Sequence, residues 1–233
     1  MMSARAVFFI VASLATLTLL LPLWQAWRGR SYLTEAQRFF AAYVGLEFVA
    51  DATMFTLGRL KHNNLWIGHL AVPLQTVLIV LAFSAWQVDE RLGRWLRRAA
   101  PVALVFWIPP ALGWESARDF SVASISIQAI ICLVLAAFTV VRRSFDDHLL
   151  VRNQSWFWIG VGVMLYFATF ALLGPASHYL IKLSPTTTIA LFSARAVFQV
   201  IANVLYYQGM RCPLSPPHSW PSTSPPPRWP SSS

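Results

Sequence analysis

Tyr43, Glu47 and Asp51 recur at intervals of four in an otherwise apolar stretch, so a helix would carry all three on one face. The polar run ends there, because the next position on that face is Phe55. Arg195, Gln199 and Asn203 repeat the same interval near the other end of the chain. Gln128 lies within a third apolar run, and Asn64 and His69 open a fourth. Carboxylates, an imidazole and a guanidinium can bind a polar ligand, pair with one another or relay protons. Within hydrocarbon each is costly, roughly 2.5 to 3.5 kcal/mol for a charged group on insertion scales, so such groups mark candidate sites.

The elements that would position them are apolar spans. Seven can be read, at about 6–27, 37–58, 64–87, 98–114, 120–141, 155–181 and 187–209, each near the roughly 20 residues that cross a bilayer. All are expected to be helices, since unpaired backbone groups cannot face lipid. The fourth, with Pro101, Pro109 and Pro110, is expected to be kinked or broken, and the sixth to bend at Gly174-Pro175. Trp24, Trp27, Trp66, Trp86, Trp114, Trp156, Trp158, Tyr179, Tyr206 and Tyr207 fall at span ends, as interfacial aromatics do. The first span lacks a small-x-small cleavage pattern and is expected to be retained. The expected fold is therefore all-α: a seven-helix transmembrane bundle over 1–211, followed by a disordered, cytoplasmic Pro- and Ser-rich tail over 212–233 whose composition cannot build a core.

Composition agrees. Of 233 residues, 57% are hydrophobic and 12% charged, which argues against a soluble globular enzyme and against a disordered chain. The net charge of +9 would suggest nucleic acid in a soluble domain, but these cations sit between apolar runs and read as headgroup anchors, so no nucleic-acid partner is expected. Twelve Lys and Arg fall on the C-terminal side of the spans and five on the N-terminal side, with Arg195 inside a span. The positive-inside rule then puts the N-terminus outside and the C-terminus in the cytoplasm of a multi-pass protein of the bacterial inner membrane. Depths at about 1.5 Å per residue place Asp51, His69, Gln128 and Arg195 roughly 8 to 12 Å below the outer surface and Glu47 roughly 16 Å below it. Arg195 is expected to pair with Asp51 or Glu47.

Named catalytic and nucleotide motifs are absent, and no Lys lies in the middle of the last span to hold a retinal. Asp51, His69 and His178 could be drawn as a metal or haem site, but no second shell can be pointed to, so no metal or cofactor is expected. Arg38, Tyr43, Glu47, Asn63-Asn64-Leu65-Trp66, His69 and Trp86 resemble the second and third helices of small uncharacterised bacterial seven-helix membrane proteins, some related to the membrane sensor part of histidine kinases. The resemblance implies a sensor-like bundle in which Glu47, Asn64 and His69 matter, with a separate signalling partner, because this chain carries no kinase.

The sequence-level expectation is a sensor- or receptor-like bundle with a polar pocket built from Glu47, Asp51, His69, Gln128 and Arg195, supported by Tyr43, Asn64, Gln199 and Asn203. A small-solute or proton-coupled transporter, or a subunit of one, is the first alternative. A membrane scaffold whose polar residues are only interhelical glue is the second. An enzyme is the weakest reading, for want of a nucleophile or metal motif. Beyond the bilayer and that signalling partner, the sequence specifies no partner and no oligomeric state.

Overall fold

The computed structural model describes residues 4–109, 122–146, 151–183 and 185–212. Those residues fold into eight α-helices: α1 (Ala4–Thr18), α2 (Leu20–Arg28), α3 (Glu35–Arg59), α4 (Leu65–Ala85), α5 (Glu90–Pro109), α6 (Val122–Asp146), α7 (Ser155–Leu183) and α8 (Pro185–Arg211), with a single 3-10 turn at Val151–Asn153. Among the described residues, six segments are long and apolar enough to cross a membrane: α1 with α2, α3, α4, α6, α7 and α8. Leu14, Leu17, Leu70, Val134, Phe138 and Val197 are among the many large apolar side chains on the outside of the bundle. In a soluble protein such a surface would aggregate, whereas lipid solvates it. The chain is a multi-pass membrane protein.

Two span expectations are corrected. The first span is two helices, broken at Leu19. Pro22 has no N–H to give to Thr18 and its ring crowds that carbonyl, and Leu19 turns tightly, its N–H donating to Thr16 O at 3.2 Å. The fourth segment begins at Glu90, well before 98, because Glu90, Arg91, Arg94, Arg97 and Arg98 form a charged first half of the same helix. That half lowers its mean hydropathy, which leaves α5 out of the six. The helix continues through Pro101. Pro110, Trp114 and the rest of 110–121 lie outside the described residues, as does the tail over 213–233. The α7 helix runs unbroken past Gly174-Pro175.

The helices close into a ring. The α1–α2 pair packs on α8 and α3, α3 on α4, α4 on α6, α6 on α7 and α7 on α8, while α5 lies against α4. Small residues let α7 and α8 approach closely: a Cβ on Gly162 would stand 2.6 Å from Tyr206 Cε1. The α3 helix is fixed at both ends. Thr34 and Gln37 form a reciprocal capping box, with Gln37 N–H to Thr34 Oγ1 at 3.1 Å and Thr34 N–H to Gln37 Oε1 at 3.0 Å. At its other end Lys61 takes a left-handed φ of 59°, His62 N–H donates to Leu57 O and Lys61 N–H to Gly58 O, a Schellman closure that turns the chain directly into α4.

Helix directions follow from side-chain contacts at either end. Gln37 at the start of α3 donates to Gly209 O at the end of α8, at 3.1 Å. Arg97 at the start of α5 meets Glu35 at 3.1 Å. Arg143 near the end of α6 donates to Trp86 O at the end of α4, at 2.6 Å. One end of the bundle therefore gathers Arg28, Arg38, Arg97, Arg143 and Arg211, and the opposite end carries Arg59 and Lys61. The α4 and α6 helices run parallel, because Gln128 near the start of α6 also donates to Val72 O in the first half of α4.

Candidate functional site: a polar relay around a membrane cavity

The four-residue spacing of α3 works as expected for Glu47 and Asp51, which face the ring interior one turn apart. Glu47 is 7% exposed. Its Oε1 accepts a hydrogen bond from the Tyr166 hydroxyl of α7, and its Oε2 accepts from Gln75 Nε2 of α4 at 2.5 Å. Gln75 Oε1 in turn accepts from Gln128 Nε2 of α6 at 3.5 Å, and Gln128 also donates to Val72 O at 3.1 Å. Asp51 Oδ2 accepts from Gln199 of α8 at 3.4 Å and from Thr16 of α1 at 3.5 Å.

Arg195 corrects an expectation. Among the described residues the ion pairs are Arg94–Glu90 and Arg97–Glu35, both exposed, and Arg195 makes none. Its guanidinium lies 3.8 Å from the Phe170 ring centre and 5.8 Å from that of Tyr166. One terminal nitrogen donates weakly to the Tyr166 hydroxyl at 3.4 Å. That hydroxyl, donating to Glu47 and accepting from Arg195, stands between the two charges and replaces the direct pair. The result is a continuous polar chain, Arg195–Tyr166–Glu47–Gln75–Gln128, crossing five helices. Arg195 Nε is buried with no hydrogen-bond partner.

These groups line a cavity of about 140 Å³ together with Ala50, Met54, Ala71, Val72, Phe167 and Phe192. A second cavity of about 340 Å³ lies between α1, α3 and α8 and reaches Gly58, Arg59 and Asn64 at the arginine-poor end. Asp51, Met54, Phe192 and Arg195 line both, so one acid and one base stand in the wall between them.

Of the other expected residues, Gln199 reaches this centre through Asp51 and the rest lie apart from it. His69 is half-buried on α4 and lines neither cavity; its neighbour Gly68 does. The His178 side chain lies outside the described residues. Among the described residues, no three His, Cys, Asp or Glu gather as metal ligands would. Tyr43 is buried deeper along α3, its ring 5.4 Å from Phe40. Asn64 ties the α3–α4 turn by donating to Met54 O at 2.6 Å, and it lines the second cavity. Gln199 holds Asp51. Asn203 joins α8 to α1 through Ala15 O and Thr18 Oγ1, at 3.1 and 2.9 Å, which is helix-to-helix glue.

Sequence reasoning missed Gln75 and Tyr166, the two residues that hold Glu47. Each is a single polar group in an apolar run, without a periodic companion. The available signal was that an intramembrane carboxylate needs donors, and few others lie at that depth. No family model, curated protein or solved structure matches this chain.

Proposed function

We propose that the chain is a sensor- or receptor-like membrane bundle. It crosses the bilayer seven times, with its N-terminus outside and its C-terminus in the cytoplasm of a bacterial inner membrane. A small ligand enters the arginine-poor half and settles against the polar relay, and its binding is passed to a signalling partner at the basic inner face. The seventh crossing is α5. Parallel α4 and α6 require the intervening chain to return along the whole bundle, and 20 helical residues cover roughly 30 Å. The orientation rests on the cluster of arginines at one end.

The observation that carries the reading is the cavity of about 140 Å³, into which α3, α6 and α8 bring Glu47, Asp51, Gln128 and Arg195. Glue alone would close on itself and leave no such space among polar side chains. The resemblance to sensor-like membrane proteins supports the same reading through Glu47 and Asn64, whereas His69, the third residue it implies, lines neither cavity. A proton-coupled transporter is the second reading, favoured by two carboxylates and an arginine within one layer. Buried Phe40, Tyr43, Phe83, Trp86, Trp156 and Tyr206, packed below that layer, count against a through-path.

Two assays separate the readings. Topology reporters fused at Met1, Ser116 and Ser233 are expected to place the first two outside and the last inside. In proteoliposomes the sensor reading expects no proton flux coupled to any solute, and flux abolished by Glu47→Gln would select the transporter instead.

A further inference from the structure

We propose that the cavity of about 140 Å³ binds a small primary organic ammonium, its N–H groups donating to Asp51 Oδ1 and Gln128 Oε1 and its apolar body lying against the rings of α7 and α8. This rests on the pocket reading above and specifies its ligand. The class follows from the groups that remain unsatisfied. Glu47 has donors at both oxygens, from Tyr166 and Gln75. Asp51 differs: Gln199 and Thr16 both reach Oδ2, and Oδ1 has no donor. Gln128 is 4% exposed. Its Nε2 is fixed by the Val72 carbonyl at 3.1 Å, which only the amide nitrogen can serve, so its Oε1 is left without a donor. Neither oxygen is closed over, because the sealed side-chain atoms without partners among the described residues are Trp107 Nε1, Arg195 Nε, Asn203 Oδ1 and the Tyr206 hydroxyl. Asp51 on α3 and Gln128 on α6 line the same space. Two open acceptors on different helices call for a ligand that donates to both.

Charge then narrows the donor. Tyr166, Gln75, Gln199 and Thr16 all donate to the two carboxylates, the pattern that acceptor-only, ionised carboxylates take. Glu47 and Asp51 then bring two negative charges to the lining and Arg195 one positive charge. One carboxylate is left without a countercharge where water is scarce, which is costly. A cation relieves that cost. An alcohol supplies the donor without the charge, and a carboxylate or phosphate adds to the excess. A hard metal ion such as Ca²⁺ takes about six to eight oxygen ligands, whereas much of the lining is Ala50, Met54, Val72, Phe167 and Phe192. A primary ammonium needs acceptors only for its three N–H groups, and aromatic faces suit both its charge and an apolar body. A space of about 140 Å³ is close to the roughly 150 Å³ that encloses benzene in an engineered apolar core, so that body is one small ring or a short alkyl chain. Leu65 and Gly68 in the first turn of α4 and Ile125 in the first turn of α6 also line the cavity. It therefore reaches the arginine-poor end, which gives a charged ligand a route from water.

The test uses the full chain in nanodiscs of zwitterionic lipid at neutral pH, with empty nanodiscs as the baseline for partitioning. Fluorine NMR follows three probes of one size: para-fluorobenzylamine, para-fluorobenzyl alcohol and para-fluorobenzoate. The amine is expected to bind about tenfold more tightly than the alcohol, as a hydrogen bond between charged groups allows. Asp51→Asn keeps the shape and removes the charge, so that margin should vanish while the alcohol still binds. Gln128→Leu removes the second acceptor and should weaken the amine by about threefold, and it serves if the asparagine variant does not fold. Equal affinity of amine and alcohol in the parent, or tightest binding by the benzoate, would overturn the cation assignment and leave the pocket in place. Displacement of the amine by sodium chloride but not by equal choline chloride would overturn the organic class in favour of an inorganic ion. An amine affinity unchanged in either variant would overturn the placement at Asp51 and Gln128. Binding of none of the three above the lipid baseline would overturn the pocket and the ligand together.

Discussion

The two halves of the bundle solve opposite problems with the same helices. In the arginine-rich half, Phe40, Phe83, Trp86, Trp156 and Tyr206 are buried within a few per cent of full enclosure, and Phe40 meets Tyr206 edge-on at 4.9 Å. Polar groups there tie helix ends: Gln37 to Gly209 O, Gln87 to Thr139 and Arg143 to Trp86 O. In the opposite half two cavities reach the middle of the bundle, and polar groups lie in the middle of the interface, linked side chain to side chain, whereas the cavity of about 370 Å³ in the arginine-rich half sits at the helix ends, between Gln25, Tyr32, Gln37 and Arg211. A packed aromatic layer transmits displacement without admitting water. A cavity layer can change occupancy. The difference between the two can be broken from either side.

The largest expected effect is in the packed half. Phe83→Ala should cost about 2 to 3 kcal/mol, because lipid removes most of the transfer term and leaves the cavity term of roughly 24 cal/mol per Å³. Thermal melting in detergent checks it. Gly162→Ala should follow at about 1 to 3 kcal/mol, since the added Cβ meets the Tyr206 ring; Tyr206→Phe should not relieve it, whereas Tyr206→Leu should. In the cavity half, Arg195→Leu should cost about 1 to 2 kcal/mol, the scale of a desolvated cation–π contact rather than of a broken buried ion pair. A loss of 3 to 5 kcal/mol, rescued by Asp51→Asn, would restore the direct pairing expected from sequence. Glu47→Gln should change melting by about 1 kcal/mol, the scale of one interhelical hydrogen bond in a membrane. The smallest effect lies outside both halves: Lys61→Gly should stabilise by up to about 1 kcal/mol by relieving the left-handed backbone at the α3 closure.

Much of this was legible in the residues. Periodicity of four put Glu47 and Asp51 on one face of α3, because a helix in lipid has no alternative to its own backbone pairing. Long apolar runs gave six segments within a few residues of their ends. The break at Leu19 was missed because Pro22 was read as part of an unbroken span, and Pro73 inside α4 shows that a proline alone does not decide the matter. The start of α5 was hidden because its first half is charged and its second apolar, so hydropathy marked only the second. Tertiary partners were the least legible. The pairing of Arg195 with a carboxylate followed from equal depth, but depth says nothing of azimuth. Around the helix axis Arg195 faces the aromatic rings of α7, and the hydroxyl of Tyr166 takes the place between the charges.

Site-specific thiol labelling tests the central claim most directly. In a Cys132→Ala, Cys212→Ser background, single cysteines are placed at Met54, in the wall shared by the two cavities, and at Ala202, buried on α8 in the packed half. A membrane-impermeant maleimide is added to intact cells. The cysteine at position 54 is expected to react, while the one at position 202 stays unmodified until the protein is unfolded. Labelling at 202 in the folded protein, or none at 54, would contradict the division into an open polar layer and a closely packed aromatic one.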